Sequence, residues 1–314
     1  MSAKFNLMTD SCCDFSAQDI ESANISYLPF TYTEADKPDG GLSGVDDLFQ
    51  SRSAHDFYDQ IRWGAAPLTS QPSQMVYEEA FRKAAELDKP TVLVTLSSGI
   101  SGAYNGAVTA LHRVQEELGR ELPIYIVDSL LGSTAQYLLI EEAARQRDKG
   151  ISAEDFVKWV EGARFHVHVI FMVDSLDTLR HGGRVPKSVA LVSGALDAKP
   201  LLTFNVDGSL AFLGVTRGRK KAMRKMVDYY AKKHSNSEYP AVAAVGNADC
   251  EHDGLRLGSM LCDVDDTIRL LPSTIGPTIG SHVGPGMLSC CFWGDDRRDK
   301  KNALASKVRG VRQA

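Results

Sequence analysis

No apolar run in the 314 residues approaches the roughly 18–20 needed to span a bilayer. The longest, such as residues 167–173, has the length of a strand and is interrupted by His168. An integral membrane helix is therefore not expected. The first ten residues carry one lysine and reach Asp10 without an apolar core or a small-residue cleavage site. They do not read as a signal peptide, so the expected location is the cytoplasm. A basic excess is also missing. Against 40 Asp and Glu stand 35 Lys and Arg, a net charge of -5, which argues against a nucleic-acid partner. The six cysteines include the adjacent pairs Cys12-Cys13 and Cys290-Cys291, and none has Cys-x-x-Cys spacing. They read as reduced thiols, mostly packed, with no structural metal. The chain has no Walker A loop and no Gly-x-Gly-x-x-Gly or Gly-x-Ser-x-Gly motif.

What is present is an alternation of short β-rich runs and helical stretches. Strands are expected at residues 4–9, 25–33, 91–96 and 123–127, with helices at 16–23, 101–118 and 134–147. The run at 91–96 is almost wholly apolar, as in a parallel strand covered on both faces. The alternation predicts βαβ units and a parallel sheet. Residues 34–53, rich in Gly, Asp and Ser, read as a long surface loop. A helix opening at Ser152 marks a boundary. Beyond it, Val206-Asp207-Gly208 separates two β-rich runs and signals a hairpin, so antiparallel pairing enters. Further strands are expected at 241–245, 267–271 and 287–293, and a helix at 252–262.

Five segments concentrate chemistry. Thr9-Asp10-Ser11-Cys12-Cys13-Asp14 follows the first strand, where α/β sheets bind ligands, and reads equally as a turn with Asp14 or Ser16 capping a helix. In Thr69-Ser70-Gln71-Pro72-Ser73, Pro72 suits a first helical turn, with Ser70 or Gln71 at the cap. Leu96-Ser97-Ser98-Gly99-Ile100-Ser101-Gly102 offers three hydroxyls and two glycines that admit a ligand close to the backbone. Residues 275–286 hold four glycines and two prolines around a single histidine, His282, whose N–H suits a carboxylate. Two basic groups, Arg180 to Arg184 and Arg217 to Lys221, complete the set. Cations at a helix start are mildly unfavourable, which suggests an acidic partner or a phosphate outside the helix.

In order along the chain, Thr9-Asp10-Ser11, the Thr69 and Leu96 segments, Val127-Asp128-Ser129, Gly182-Gly183-Arg184, Lys199-Pro200, the Arg217/Lys220/Lys221 cluster and residues 275–286 resemble the DegV family. The resemblance implies a two-domain α/β fold: an N-terminal parallel-sheet domain (1–163), a C-terminal mixed-sheet domain (164–296) and a lipid-binding cleft between them, before a basic tail (297–314). It implies no catalysis and no cofactor in this chain, and a long-chain fatty acid as ligand. The carboxylate would be bound by Thr69, Ser98 and His282, with Ser97 or Ser101 as alternatives to Ser98, supported by Ser70, Gly99, Gly280 and Ser281. The implied partner is a separate ATP-dependent fatty-acid kinase subunit forming an acyl phosphate, with Arg217, Arg219 and Arg184 at the docking surface. Cys12-Cys13 stand where relatives often carry Thr-Ser or Thr-Ala, and Ser281 where Thr is common. Two other readings compete. One is a serine hydrolase of acyl esters using Ser98 and His282, with Asp10 or Asp128 orienting the histidine. The other is a lipid-dependent regulator or scaffold whose basic cluster binds a partner.

Overall fold

The computed structural model describes residues 3–34, 36–37, 41–87, 89–186, 197–235 and 238–299. In chain order the first half comprises β1 (Asn6–Asp10), α1 (Ala17–Ser22), β2 (Ile25–Leu28), β3 (Thr31–Thr33), β4 (Gly44–Val45), α2 (Ala54–Arg62), β5 (Leu68–Ser70), α3 (Gln74–Ala85), β6 (Thr91–Thr95), α4 (Ala103–Leu118), β7 (Ile124–Asp128), α5 (Thr134–Asp148) and α6 (Ala153–Ala163). The second half comprises β8 (Val167–Met172), α7 (Asp177–His181), β9 (Ala198–Phe204), β10 (Leu210–Arg217), α8 (Arg219–Lys233), β11 (Val242–Asn247), α9 (Glu251–Cys262), β12 (Arg269–Thr274), α10 (Pro277–Val283) and β13 (Leu288–Trp293).

Four strands form a parallel sheet in the order β2-β1-β6-β7. Strand β6 is apolar throughout because both its faces are covered. Leu93 turns to the cluster of Tyr77, Phe81 and Val114 from α3 and α4. Its neighbours Val92 and Val94 turn to the cluster that holds Phe156 and Val160 of α6. A six-stranded sheet follows in the order β10-β9-β8-β13-β11-β12, antiparallel except for the β11–β12 pair. Here too the period of two sorts the side chains. Ile170 and Met172 of β8 meet Met223, Met226 and Leu257 of α8 and α9. Val167, Val169 and Phe171 face the other way, into the cluster that contains Leu138 and Leu139 of α5. Helix α5 is buried on nearly every side, because it is packed between the two sheets. The expected α/β fold with a parallel first sheet and a mixed second one is what the chain forms.

Several local expectations need correction. The strand expected over 25–33 is two strands in different sheets, split at Pro29 where a ladder N–H is lost. Strand β3 joins β4 and β5 in a small antiparallel sheet. The segment 34–53 is not simply a surface loop: it contributes β4 and buries Leu42, Asp46 and Leu48. Pro72 does not open a helix. Thr69 and Ser70 lie on β5, and Ser73 caps α3 by accepting from Val76 N. The first residues of the basic tail are built into the fold. Arg297 donates to the carbonyls of Phe204 (2.9 Å) and Arg164 (3.3 Å), and Arg298 stacks over Phe165 with its carbon 4.1 Å from the ring centre. Residues 300–314 lie outside the described residues.

Candidate functional site: a lined slot between the sheets

The site is assembled from four places. Strand β5 supplies Thr69, the β6–α4 turn supplies Ile100 and Ser101, the start of α5 supplies Gly132 to Ala135, and α10 supplies Thr278, Ile279 and His282. Val169, Phe171, Phe204, Leu210, Met287 and Cys291 of the second sheet and its loops close the far wall. Together they bound a narrow slot with a cavity volume of about 70 Å³. Most of the lining is aliphatic or aromatic, as an acyl chain requires.

Polar groups gather where Thr69, Ser101, Arg184 and His282 meet the slot. His282 Nε2 lies 2.7 Å from Thr69 Oγ1. Its Nδ1 is buried without a hydrogen-bond partner among the described residues. An orphaned buried N–H is rarer than an unpaired acceptor, so we assign the proton to Nε2. The imidazole then donates to Thr69 and leaves the threonine hydroxyl hydrogen free to point elsewhere. Ser101 is arranged alike: its Oγ accepts from Ala103 N at 3.2 Å, which frees its hydrogen as well. Two hydroxyls whose oxygens already accept are donors for an anion. Burial, helped by the positive charges of Arg184 and His181, pushes the His282 pKa down to about 4, so the ring is neutral at pH 7. Arg184 is anchored by its Nε to Ile100 O (3.2 Å) and by Nη1 to Gly182 O. Gly182 is required at its position, because a β-carbon there would collide with His282 Nδ1.

The remaining expected residues distribute as follows. Ser98 is exposed and absent from the slot wall, and its backbone N–H is held by Asp128 Oδ1 at 3.1 Å. Ser97 is buried but donates to Gly208 O at 2.8 Å, tying the turn to the β9–β10 hairpin tip. Gly99 touches that tip so closely that a β-carbon would collide with the Gly208 carbonyl. Ser70 is exposed on β5, Gly280 packs against Tyr58 and Phe57, and Ser281 donates back to Pro277 O at 2.8 Å. Arg217 is exposed at the end of β10. Arg219 is held internally by Asp174 (2.8 Å), Asp253 (2.6 Å) and Gly286 O (2.8 Å). Arg184 belongs to the slot.

The hydrolase arrangement is not assembled. His282 faces Thr69 rather than Ser98, and no carboxylate partners its Nδ1 among the described residues. Asp10 and Asp128 are both occupied with backbone N–H groups. Outside the slot, His55, Asp59 and Asp249 converge on the surface, where Arg62 donates to both carboxylates.

Beneath the slot lies a feature the sequence did not announce. Asp10, Asp14 and Asp46 are all buried. Asp10 accepts from Leu96 N (2.5 Å) at the root of the serine turn, and from Gln136 Nε2 (3.1 Å). Asp14 accepts from Ser133 Oγ (2.5 Å) and Gly276 N (2.9 Å). Asp46 accepts from Thr278 N (3.0 Å) and Thr278 Oγ1 (2.5 Å). Burial pushes their pKa values up to about 6, 7 and 6 respectively, partly offset by these hydrogen bonds. The whole run from Thr9 to Asp14 is buried, and none of it lines the slot. The first loop is thus internal framework, and Ser16 caps α1.

An α/β protein with a lined apolar slot ending in two hydroxyls, an imidazole and a guanidinium has the form of a small lipid-binding protein. The chain belongs to the DegV family, whose model, described as an uncharacterised protein family, matches residues 4–295. It is 31% identical over 287 residues to the "Fatty acid-binding protein" of Thermotoga maritima, covering 90% of this chain and 95% of that one. A solved Thermotoga maritima structure, described as revealing a fatty acid binding function, superimposes with a TM-score of 0.76 at 27% identity, over 93% of this chain and 100% of that one. The fatty acid kinase B3 protein of Streptococcus pneumoniae, solved with linoleic acid, shares the fold with a TM-score of 0.77 at 22% identity, over 93% of this chain and 100% of that one.

Proposed function

We propose that this chain binds a long-chain fatty acid in the slot and presents its carboxylate to a separate ATP-dependent kinase. The observation that carries the binding half is the Thr69–His282 pair in the wall of a mostly apolar slot, which Ser133, Thr134, Thr278 and Ser289 also line. The acid's carboxylate accepts from the hydroxyls of Thr69 and Ser101, with the neutral imidazole of His282 behind Thr69 and the guanidinium of Arg184 beside them. Each charge-assisted hydrogen bond contributes about 1.5–3 kcal/mol. Each buried methylene contributes about 0.8 kcal/mol. The Thermotoga maritima relatives named above support this ligand class. The kinase half rests on the resemblance and on the exposed basic patch of Arg217, Lys220 and Lys221.

Native mass spectrometry of the purified protein should show a bound fatty acid, lost in Thr69→Ala and His282→Ala. Protein that is consistently empty and rejects added fatty acid would refute the binding half. For the kinase half, Arg217→Ala should abolish capture of an acyl-phosphate-forming kinase while lipid content stays unchanged. Unaltered capture would refute it.

A further inference from the structure

His282 stands near the end of α10, and the opening of that helix is held by two carboxylates from distant parts of the chain. Asp14, just after β1, accepts from Gly276 N, the residue before the helix. Asp46, just after β4, accepts both the backbone N–H and the hydroxyl of Thr278. Both side chains are buried, and neither pairs with a Lys, Arg or His among the described residues. Buried charges without cations cost stability unless their hydrogen bonds are needed. Here bonds from both converge on the start of α10, while Asp46 also accepts from Leu48 N. No side chain within α10 caps its own start, since the position before it is Gly276. Tyr58 completes the grip by donating to Ile275 O at 2.6 Å, and its ring presses on Gly280. Asp14 also ties Ser133, at the start of α5, to the same point. One pair of carboxylates thereby sets the distance between α10, α5 and the loops before them, and these are walls of the slot.

We propose that Asp14 and Asp46 are positioning residues for the lipid site: by holding the first residues of α10 they set the register that brings His282 Nε2 onto Thr69. This rests on the reading of Thr69 and His282 as the carboxylate end of the slot. It assigns a task to the first loop and to the 34–53 segment, which touch no ligand themselves. An acceptor is what matters at position 46, because both bonds there are received by one carboxylate oxygen.

The test compares wild type, Asp46→Ala, Asp46→Asn, Thr278→Val and His282→Ala, each loaded with palmitate. Palmitate release to an acceptor vesicle is measured together with the imidazole ¹⁵N shifts of His282. Asp46→Ala should speed release about tenfold and move the His282 Nε2 signal away from its hydrogen-bonded position. Asp46→Asn, which keeps an acceptor, should restore both to within about threefold of wild type. Thr278→Val, which removes only the hydroxyl donor, should give an intermediate rate and covers the case in which Asp46→Ala fails to fold. Wild-type release and shifts in both Asp46→Ala and Thr278→Val, with fast release in His282→Ala, would overturn the positioning role alone. Wild-type release in His282→Ala would instead overturn the underlying carboxylate reading. Asp46→Asn releasing as fast as Asp46→Ala would also overturn the positioning role, since it would show that the acceptor does not matter.

Discussion

Ser98 and Ser101 are three residues apart, and only Ser101 reaches the slot. The turn that carries them is pinned where it begins, by Leu96 N on Asp10 and by Ser97 Oγ on Gly208 O, and this fixes which hydroxyl turns inward. Sequence could not choose between them, because the choice depends on a hairpin tip 111 positions away. Ser101→Ala should therefore weaken palmitate binding about tenfold, whereas Ser98→Ala should leave it within twofold; isothermal titration separates the two. Gly182→Ala makes a related case. The added methyl would occupy the place of His282 Nδ1, so the variant should lose lipid while circular dichroism stays unchanged. His282 drew attention as the one imidazole in a glycine-rich segment, whereas Thr69 was named only through the family resemblance; the fold brings the two within 2.7 Å. Arg184 was expected at a docking surface, and the fold sets it in the slot wall instead. Asp46 was hidden, because a carboxylate in a Gly- and Asp-rich stretch reads as solvated. Only the nearby Leu42 and Leu48 hinted that the stretch is partly buried.

The elements with strong local signals formed as expected: the apolar β6, the Asp-Gly hairpin between β9 and β10, and α6 capped by Ser152 accepting from Asp155 N. Those set by long-range pairing did not. Strand β5 exists because Thr69 pairs with Tyr32 on β3, which no local pattern around Pro72 announces. The three buried aspartates give the elements they join a pH dependence. Their pKa values are raised in the folded chain, to about 6, 7 and 6. The folded state therefore holds protons that the unfolded state has released above about pH 4. Their contribution to stability is full below pH 4 and is lost as pH rises through 6 to 7. His282 acts in the opposite sense. Its pKa is lowered to about 4, so its contribution is present above pH 6.5 and lost as pH falls towards 4. Urea titrations at pH 5 and 7.5 should show Asp46→Asn gaining on wild type by about 1 kcal/mol at the higher pH. A pH-independent difference would show that Asp46 is ionised throughout.

At the scale of the molecule the slot is a gap in a core shared by both sheets, and on the proposed function an acyl chain would lodge there. Ligand that binds only the folded state stabilises it, by about 2.7 kcal/mol at a hundredfold excess over Kd. Stripping lipid should lower the Tm, and re-adding palmitate should restore it, as calorimetry can read. Helix α5 has a further consequence. When residues 1–163 have left the ribosome, the parallel sheet can close, but the α5 face destined for Val169, Phe171 and Cys291 has no cover. The nascent chain must wait for β13 (Leu288–Trp293) before that face is dry. A fragment of residues 1–163 expressed alone should bind a dye for exposed apolar surface and aggregate, and co-expression of the remainder should rescue it.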